Sequence, residues 1–165
     1  MEKITLNSAL ETKKFASQLA KKIVKEKESF GEGYSSRGAF IIGLIGELGS
    51  GKTTFAQGFA KGLRIREPIL SPTFVVYRRY AIKDKNEGKS SKILASGFKN
   101  FYHFDCYRLK NHEEILSLGF VDIVKETDNL IIIEWADRIK KILPKNALIL
   151  RFKFLGEGRR EIKFG

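Results

Sequence analysis

The feature that most constrains this chain is the segment GELGSGKT at residues 46–53. Apolar residues 39–45 precede it, and residues 55–63 repeat apolar side chains at three- and four-residue steps, as in an amphipathic helix. A strand, a glycine-rich loop and a helix in this order match the phosphate-binding loop. In that motif, backbone N–H groups surround the phosphates, a lysine reaches the terminal ones and a hydroxyl takes magnesium. The flanking elements favour this interpretation over a purely structural glycine turn.

Each part of the loop has a physical role in holding an anion. Glycines at positions 46, 49 and 51 let the backbone approach phosphates closely and permit positive φ angles. The partial positive charge at the N-terminus of the following helix adds to the same site. The residues predicted to contact a nucleotide here are Glu47, Leu48, Gly49, Ser50, Gly51, Lys52, Thr53 and Thr54.

Length and composition limit the class of protein. With 165 residues, 42% of them hydrophobic, the chain is expected to form one domain over residues 1–165. The net charge of +12 favours an anionic partner, and RNA, nucleotides and acidic proteins all remain open. One cysteine and two histidines give neither a disulfide framework nor a zinc-binding spacing. Without a signal-peptide pattern or a membrane-spanning apolar run, we expect a cytoplasmic protein that makes no membrane contact.

Periodicity and turn signals predict the remaining elements. Ser8 and Glu11 form a capping-box pattern that opens a helix extending to about residue 27. Helical segments are also predicted at 109–126, with a break at Gly119, and at 136–143 before Pro144. Strands are predicted at 3–6, 39–45, 73–80, 100–104, 130–133, 147–155 and 161–164. Polar composition predicts mobile loops at 28–38 and 81–100, the second being either a long hairpin tip or a loop.

These elements predict an α/β fold of the P-loop NTPase type, a three-layer sandwich in which helices flank a mainly parallel central sheet. Phosphate transfer or hydrolysis also needs acids that hold magnesium and direct the attacking group. Ligands of open α/β sheets gather at the carboxyl edge of the strands. Glu134 and Asp105 each end a predicted strand, and Thr73 follows the rigid Pro72. We therefore predict that Glu134, Asp105 and Thr73 are catalytic, although strand-end acids are often only solvated loop residues.

Three less common side chains lie near these acids in the sequence. His103 is interpreted as a sheet residue rather than a base. Trp135, the only tryptophan, packs either against the nucleotide or against a helix, and the sequence does not choose. Cys106 has no adjacent basic or histidine pairing of the kind that activates a nucleophile, so we interpret it as a packing residue.

Several segments together resemble the bacterial TsaE (YjeE-type) ATPases. The matching segments, in the family's order, are GELGSGKTTFAQGFAKGL, SPTF, FYHFDCYRL, the EE and LGF of NHEEILSLGF, and IIIEW. The resemblance covers nearly the whole chain apart from the loops near 28–38 and 81–100, which are longer than is usual in the family. Several motifs in a fixed order are more specific than a phosphate loop alone.

The resemblance implies an ATPase needed to make threonylcarbamoyladenosine at position 37 of tRNAs that read codons starting with A. In that family the protein joins TsaB and TsaD partners and hydrolyses ATP with Mg²⁺ to keep their cycle turning. By position, Lys52 is expected to bind phosphates, Thr53 to bind magnesium, and Glu134 to complete the metal site or orient water. Thr73 matches a switch-like segment, and Asp105 matches the acid of the HFD element.

The resemblance also extends to three residues outside these motifs. Thr12 matches a threonine near the nucleotide at the start of the first family helix, and the GEGR turn resembles a C-terminal nucleotide contact that includes Gly158 and Arg159. The lysine-rich insert at 81–100 has no counterpart that we can map. Whether tRNA is contacted directly, through the basic surface, or only through partners remains open.

Three other classes of function were compared with this pattern: a kinase, a GTPase and a non-enzymatic protein. A P-loop small-molecule kinase needs a mobile, arginine-bearing lid and an acceptor pocket, and Arg78, Arg79 and the insert at 81–100 match such a lid only weakly. A GTPase is disfavoured because the chain has neither an NKxD nor a DxxG signal. The non-enzymatic alternatives are a nucleotide-gated adaptor and a basic RNA-binding module.

Overall fold

The structure is a computed structural model that describes residues 2–26, 38–82 and 97–164. Its strands are β1 (Glu2–Leu6), β2 (Phe40–Gly46), β3 (Tyr77–Ala81), β4 (Asn100–Asp105), β5 (Asn129–Glu134), β6 (Leu148–Gly156) and β7 (Arg159–Phe164). Its helices are α1 (Ala9–Glu26), α2 (Lys52–Gly62), α3 (Glu113–Leu116) and α4 (Phe120–Lys125), and a 3₁₀ turn spans Ala136–Ile139.

The strands form one seven-stranded sheet in the order β1-β7-β6-β2-β5-β4-β3. The central strands β6, β2, β5 and β4 are parallel to one another, whereas β1, β7 and β3 join at the edges in antiparallel pairs. The α/β class is therefore confirmed, but the prediction of a mainly parallel sheet holds only for its centre. The reason is visible between β6 and β7, where a two-residue turn at Glu157 and Gly158 allows only an antiparallel return.

Helices cover both faces of the central strands, because alternate side chains of β2 and β5 enter two separate cores. Ile42 and Leu130 belong to the core beneath α1 and α2, and Ile41 and Ile131 to the core beneath α3, α4 and the 3₁₀ turn. Helices α1 and α2 approach backbone to backbone, since a methyl group added at Gly58 would lie 2.4 Å from the Lys13 carbonyl oxygen. This contact fixes the helix that starts at the phosphate loop.

The predicted strand at 73–80 is wrong in its first half. Strand β3 begins only at Tyr77, and Thr73–Val76 form a turn in which the Val75 N–H donates to the Pro72 carbonyl at 2.9 Å. Val76 has a φ of 65°, which a β-branched residue rarely adopts. Strand propensity is overridden here by side-chain bonds from Thr73 to a distant acid, described below.

The predicted helix at 136–143 is shorter than expected. Only one 3₁₀ turn forms, at Ala136–Ile139, after Trp135 turns the chain sharply with a φ of 58°. The segment lies close beneath the sheet, since a methyl group at Gly43 would be 2.9 Å from the Ala136 Cβ. The chain thus has little room for a regular helix before Pro144.

The predicted loops fall largely outside the described residues, which stop at 26 and 82 and resume at 38 and 97. At the base of the second insert, Ala81 pairs with Asn100 in the antiparallel ladder of β3 and β4, and the choice between a hairpin tip and a loop stays a prediction because residues 83–96 lie outside the described residues. In the described parts of the chain, none of the helices is both long and apolar enough to cross a bilayer.

Candidate functional site

The phosphate loop connects the end of β2 to the start of α2. Its three glycines all have positive φ angles, 152° at Gly46, 74° at Gly49 and 99° at Gly51. At Gly46 there is also no space for a side chain, because a methyl group would lie 2.5 Å from the Phe152 carbonyl oxygen. The loop therefore adopts the backbone conformation for which glycine was expected, with α2 beginning directly after it at Lys52.

The Lys52 ammonium is folded back into the loop that carries it. Its Nζ donates to the Gly46 carbonyl at 2.7 Å and to the Glu47 carbonyl at 2.8 Å, and it lies 3.9 Å from the centre of the Trp135 ring. Burial lowers the pKa of Lys52, while the charges of Glu134, Asp105 and Asp137 oppose that shift. An anion that enters the loop would be a stronger hydrogen-bond acceptor for this ammonium than the two neutral carbonyls are.

Glu134 stands at the end of β5, one strand away from the loop, and both of its oxygens are bonded. Thr53 Oγ1 donates to Glu134 Oε2 at 2.9 Å, and His103 Nε2 lies 2.8 Å from Glu134 Oε1. Glu134 is only 2% exposed and His103 is fully buried. The parallel pairing of β2, β5 and β4 produces this juxtaposition, because it brings their carboxyl ends to one edge.

Asp105, at the end of β4, holds the turn that precedes β3. Its Oδ2 accepts from Thr73 Oγ1 at 2.5 Å and from Ser71 Oγ at 2.7 Å, and its Oδ1 accepts from the Tyr107 backbone N–H at 3.0 Å. The two hydroxyls are themselves 2.6 Å apart. Asp105 is 5% exposed, so these bonds form in a partly dry environment, where they are stronger than in water.

These groups surround a cleft of about 240 Å³. Its lining residues are Leu48, Gly49, Gly51, Lys52, Thr53, Thr54, Ser71, Thr73, Asp105, Tyr107, Glu134 and Trp135. The structure therefore brings together most of the residues predicted from the sequence. Of the predicted loop residues, Glu47 contributes its carbonyl to Lys52, and Ser50 is buried beneath the loop, with its N–H bonded to the Glu47 carbonyl. Trp135, whose place the sequence left open, lines the cleft.

Thr12, Gly158 and Arg159 do not line the cleft. Thr12 is fully buried, and Arg159 points outward beside Glu157, 3.7 Å away. Arg160 stands between the two predicted segments, donating to Thr12 Oγ1 at 3.0 Å and to the Gly158 carbonyl at 2.8 Å. The nucleotide contacts predicted for Thr12, Gly158 and Arg159 remain predictions.

Arg160 is a residue that the sequence analysis missed. Its guanidinium supports the phosphate loop from behind, since a methyl group at Gly51 would lie 3.0 Å from Arg160 Nη1. The available signal was the alternation of β7, in which Arg160 and Ile162 face inward and are both buried. An inward-facing arginine on a strand needs a polar partner, and the loop region provides it.

The Thr53 and Glu134 oxygens meet the requirements of a magnesium ion. Both are hard oxygen donors, and their 2.9 Å separation equals the edge of an octahedron of oxygens at Mg²⁺ distances, which is about 2.9 Å. In the described residues, three or more His, Cys, Asp or Glu side chains do not gather at any one place where they could hold a metal ion. A magnesium ion here would therefore need further ligands from phosphate and water, as is usual for nucleotide sites.

Comparison with known proteins decides the family. The family model described as "Threonylcarbamoyl adenosine biosynthesis protein TsaE" matches residues 6–162. The chain belongs to the TsaE family. It is 37% identical to a Bacillus subtilis protein over 75% of this chain and 68% of that protein, and 34% identical to a Rickettsia prowazekii protein over 94% and 89%. Both relatives carry the name tRNA threonylcarbamoyladenosine biosynthesis protein TsaE.

A solved structure shares the fold of this chain. The crystal structure of Bacillus subtilis YdiB superposes with a TM-score of 0.62 at 28% identity, and the match covers 99% of this chain and 83% of that chain. The family model and the two relatives confirm, at the level of the family, the resemblance seen in the sequence motifs. In this TsaE-family chain, the seven strands form one mixed sheet that includes the antiparallel edge strands, and helices cover both of its faces.

Proposed function

We propose that this TsaE-family chain binds Mg²⁺–ATP and hydrolyses it as the ATPase component of tRNA threonylcarbamoyladenosine biosynthesis. The observation that carries the proposal is the hydrogen bond of 2.9 Å between Thr53 and Glu134 at the mouth of the phosphate loop. It joins the predicted hydroxyl and carboxylate ligands of one magnesium ion, beside the Lys52 ammonium. A P-loop NTPase-like arrangement, with the loop at the carboxyl edge of parallel strands, is part of this proposal.

Five side chains of the cleft have a role in the proposed reaction. Lys52 and the loop N–H groups hold the phosphates, and Thr53 and Glu134 hold Mg²⁺, which neutralises charge on the reacting phosphate. Asp105 and Thr73 lie on the opposite wall, where a hydroxyl and a carboxylate can sense the terminal phosphate or orient the attacking water. Hydrolysis is favoured over simple binding because these acids line the same cleft as the loop.

Membership of the TsaE family supports a place in tRNA threonylcarbamoyladenosine biosynthesis. We propose that the product is threonylcarbamoyladenosine at position 37 of tRNAs that read codons starting with A, made with TsaB-like and TsaD-like partners in the cytoplasm. The net charge of +12 is compatible with tRNA contact, either directly or through those partners. Phe74 and Val75, 83% and 52% exposed beside the cleft, offer apolar contacts to a partner protein.

Two arginines of the candidate lid of the kinase alternative lie in the sheet, whereas residues 83–96 of its insert fall outside the described residues. Arg78 and Arg79 lie within β3, paired with His103 and Tyr102 of β4, and so belong to the sheet. The adaptor alternative predicts nucleotide binding without turnover. Phosphate release measured alone, with TsaB-like and TsaD-like partners, and with a panel of small acceptors separates the three functions. Transfer to an acceptor supports the kinase, and binding without any phosphate release in the presence of partners supports the adaptor.

The sharpest test of hydrolysis is Glu134→Gln, which keeps the size of the side chain and removes its charge. We expect phosphate release in the presence of the partners to fall by about 100-fold or more, while nucleotide binding persists, because the lost group acts on the metal and water rather than on the base or ribose. Glu126→Gln, on an exposed residue at the end of α4, is the matched control. Turnover at the wild-type rate in Glu134→Gln would remove this residue from the mechanism.

The pathway needs a separate test in cells. Depletion of this protein is expected to lower the threonylcarbamoyladenosine content of tRNA, measured by nucleoside analysis. Re-expression of the wild-type chain restores it, and re-expression of Glu134→Gln does not. A normal level of the modification in depleted cells would contradict the pathway even if ATP hydrolysis were established.

A further inference from the structure

The two oxygens of Glu134 have different partners, one at the cleft and one inside the sheet. Oε2 accepts from Thr53 at the cleft, whereas Oε1 faces His103 at 2.8 Å. Because a carboxylate oxygen only accepts, the ring donates through Nε2. His103 is fully buried in β4, next to β5, so this bond is shielded from solvent. Only one oxygen of Glu134 is therefore presented to the cleft.

Packing alone does not explain a histidine at position 103. Within the described part of the chain, its Nδ1 has no hydrogen-bond partner, and leaving such a buried polar group unsatisfied is unfavourable. Phe101, its neighbour on the same face of β4, shows that an aromatic hydrocarbon fits this layer. The bond from Nε2 to Glu134 gives a reason for a histidine at this position in spite of its unpaired Nδ1.

We infer that His103 is a positioning residue that restricts Glu134 to one-oxygen coordination and so makes the site selective for Mg²⁺ over Ca²⁺. The inference rests on the proposed Mg²⁺–nucleotide function. Mg²⁺ demands a near-ideal octahedron at 2.0–2.1 Å, whereas Ca²⁺ accepts six to eight oxygens at 2.3–2.6 Å and readily uses both oxygens of a carboxylate. Because Oε1 is bonded to the His103 ring, only Oε2 is free to coordinate a metal ion. One carboxylate oxygen is enough for Mg²⁺, whereas Ca²⁺ would use the second oxygen as well.

The test compares two substitutions of equal length. His103→Gln places an amide donor near the position of Nε2, and His103→Met fills a similar volume without a donor. The measurement is the dissociation constant of the non-hydrolysable fluorescent analogue mant-AMPPNP in EDTA, in Mg²⁺ and in Ca²⁺. The quantity of interest is the ratio of the Ca²⁺ value to the Mg²⁺ value, and the value in EDTA reports whether the nucleotide site is intact.

For the wild type and His103→Gln we expect similar ratios, and for His103→Met a ratio lower by about 10-fold or more, as is typical when a residue behind a metal ligand is removed. An unchanged ratio in His103→Met overturns the inference, and so does an equal loss in both variants, because the donor would then be irrelevant. Failure of the wild type to bind the analogue under all three conditions instead overturns the proposed function.

A second measurement does not depend on folding of the variants. In wild-type protein, the His103 imidazole N–H hydrogen-bonded to Glu134 is expected as a slowly exchanging proton signal in NMR spectra. We expect that signal to persist on addition of ADP with Mg²⁺, since Oε1 stays bonded to the ring. Its loss on Mg²⁺–ADP binding would show that Oε1 leaves His103, which overturns the inference.

Discussion

The two walls of the cleft are built in different ways. The loop wall, residues 46–53, takes its shape from neighbouring residues, above all three glycines with positive φ and a lysine bonded to carbonyls five and six residues earlier. The latch wall, Ser71–Val76 together with Asp105, combines backbone bonds within the turn with hydroxyl bonds to an acid more than thirty residues away in sequence. We therefore expect the loop wall to have the same shape before and after a ligand binds. The latch wall depends on a few side-chain bonds and can change its shape when a ligand binds.

The exposure of the latch wall supports this contrast. Phe74 and Val75 are largely exposed, and Val76 has a φ of 65°, a conformation unfavourable for a β-branched residue. Strain of this kind costs about 1–3 kcal/mol and persists only where the surroundings impose it. Around Val76, the Tyr77 N–H donates to the Val75 carbonyl at 2.8 Å and the Asp105 N–H donates to the Val76 carbonyl at 2.8 Å. We therefore expect nucleotide-dependent movement in the latch wall rather than in the loop wall.

The largest effect is expected from breaking the loop wall at Lys52. Lys52→Ala removes the ammonium that sits at the loop, and we expect ATP affinity to fall by about 100-fold, the usual effect of losing a charged hydrogen-bond partner. Isothermal titration with ATP and Mg²⁺ measures it. Lys61→Ala, an exposed lysine near the end of α2, is the matched control. Equal affinity in the folded Lys52→Ala protein would remove the loop from nucleotide binding.

A pair of glycine substitutions separates crowding from backbone conformation within the loop wall. Alanine at Gly46 would meet the Phe152 backbone at 2.5 Å, whereas alanine at Gly49 meets nothing within 4 Å and carries only the cost of a positive φ. We expect Gly46→Ala to lower the free energy of unfolding by about 3 kcal/mol and Gly49→Ala by about 1 kcal/mol. Urea unfolding tests the order, and equal losses would contradict the crowding argument.

A smaller effect is expected from opening the latch wall. Thr73→Val keeps the shape of the side chain and removes one hydroxyl bond to Asp105, worth about 1.5 kcal/mol for a charged acceptor. Amide exchange at Val75 and Tyr77, whose N–H groups are bonded within the turn, should then be about tenfold faster. Exchange at Ser50 in the loop wall is the internal control. Unchanged exchange at Val75 would show that Asp105 does not hold the turn.

The same contrast explains what the sequence could predict. Strand, loop and helix around residues 39–63 follow from local patterns, and the strand-edge rule placed Glu134 and Asp105 at the cleft because it needs only strand ends. The turn at Thr73–Val76 was predicted as a strand, since its residues favour strands and the bonds to Asp105 lie far away in sequence. His103 was correctly placed in the sheet, but its bond to Glu134 depends on the pairing of β4 with β5, which no single segment encodes.

The smallest effect is expected at Cys106, which directly follows Asp105 in the latch wall. The thiol is buried, and burial, aided by the charges of Asp105 and Asp137, raises its pKa to about 12. It is therefore protonated at neutral pH and unsuited to act as a nucleophile. Cys106→Ala should leave nucleotide affinity and turnover unchanged while lowering the free energy of unfolding by about 1 kcal/mol through the small cavity.

The difference in unfolding free energy between wild type and Cys106→Ala should change with pH in one direction if the folded thiol is buried and protonated. In the unfolded chain the thiol ionises near its ordinary pKa of about 8.5, whereas in the folded chain it stays protonated to about pH 12. Above about pH 9 the folded state binds more protons, so unfolding becomes easier by up to about 1.4 kcal/mol per pH unit in wild type relative to Cys106→Ala. Urea unfolding of both proteins at pH 7, 9 and 10 measures the difference. A difference that does not change with pH would mean that the thiol is accessible to ionisation in the folded protein, and that the latch wall is open at its base as well as at its exposed edge.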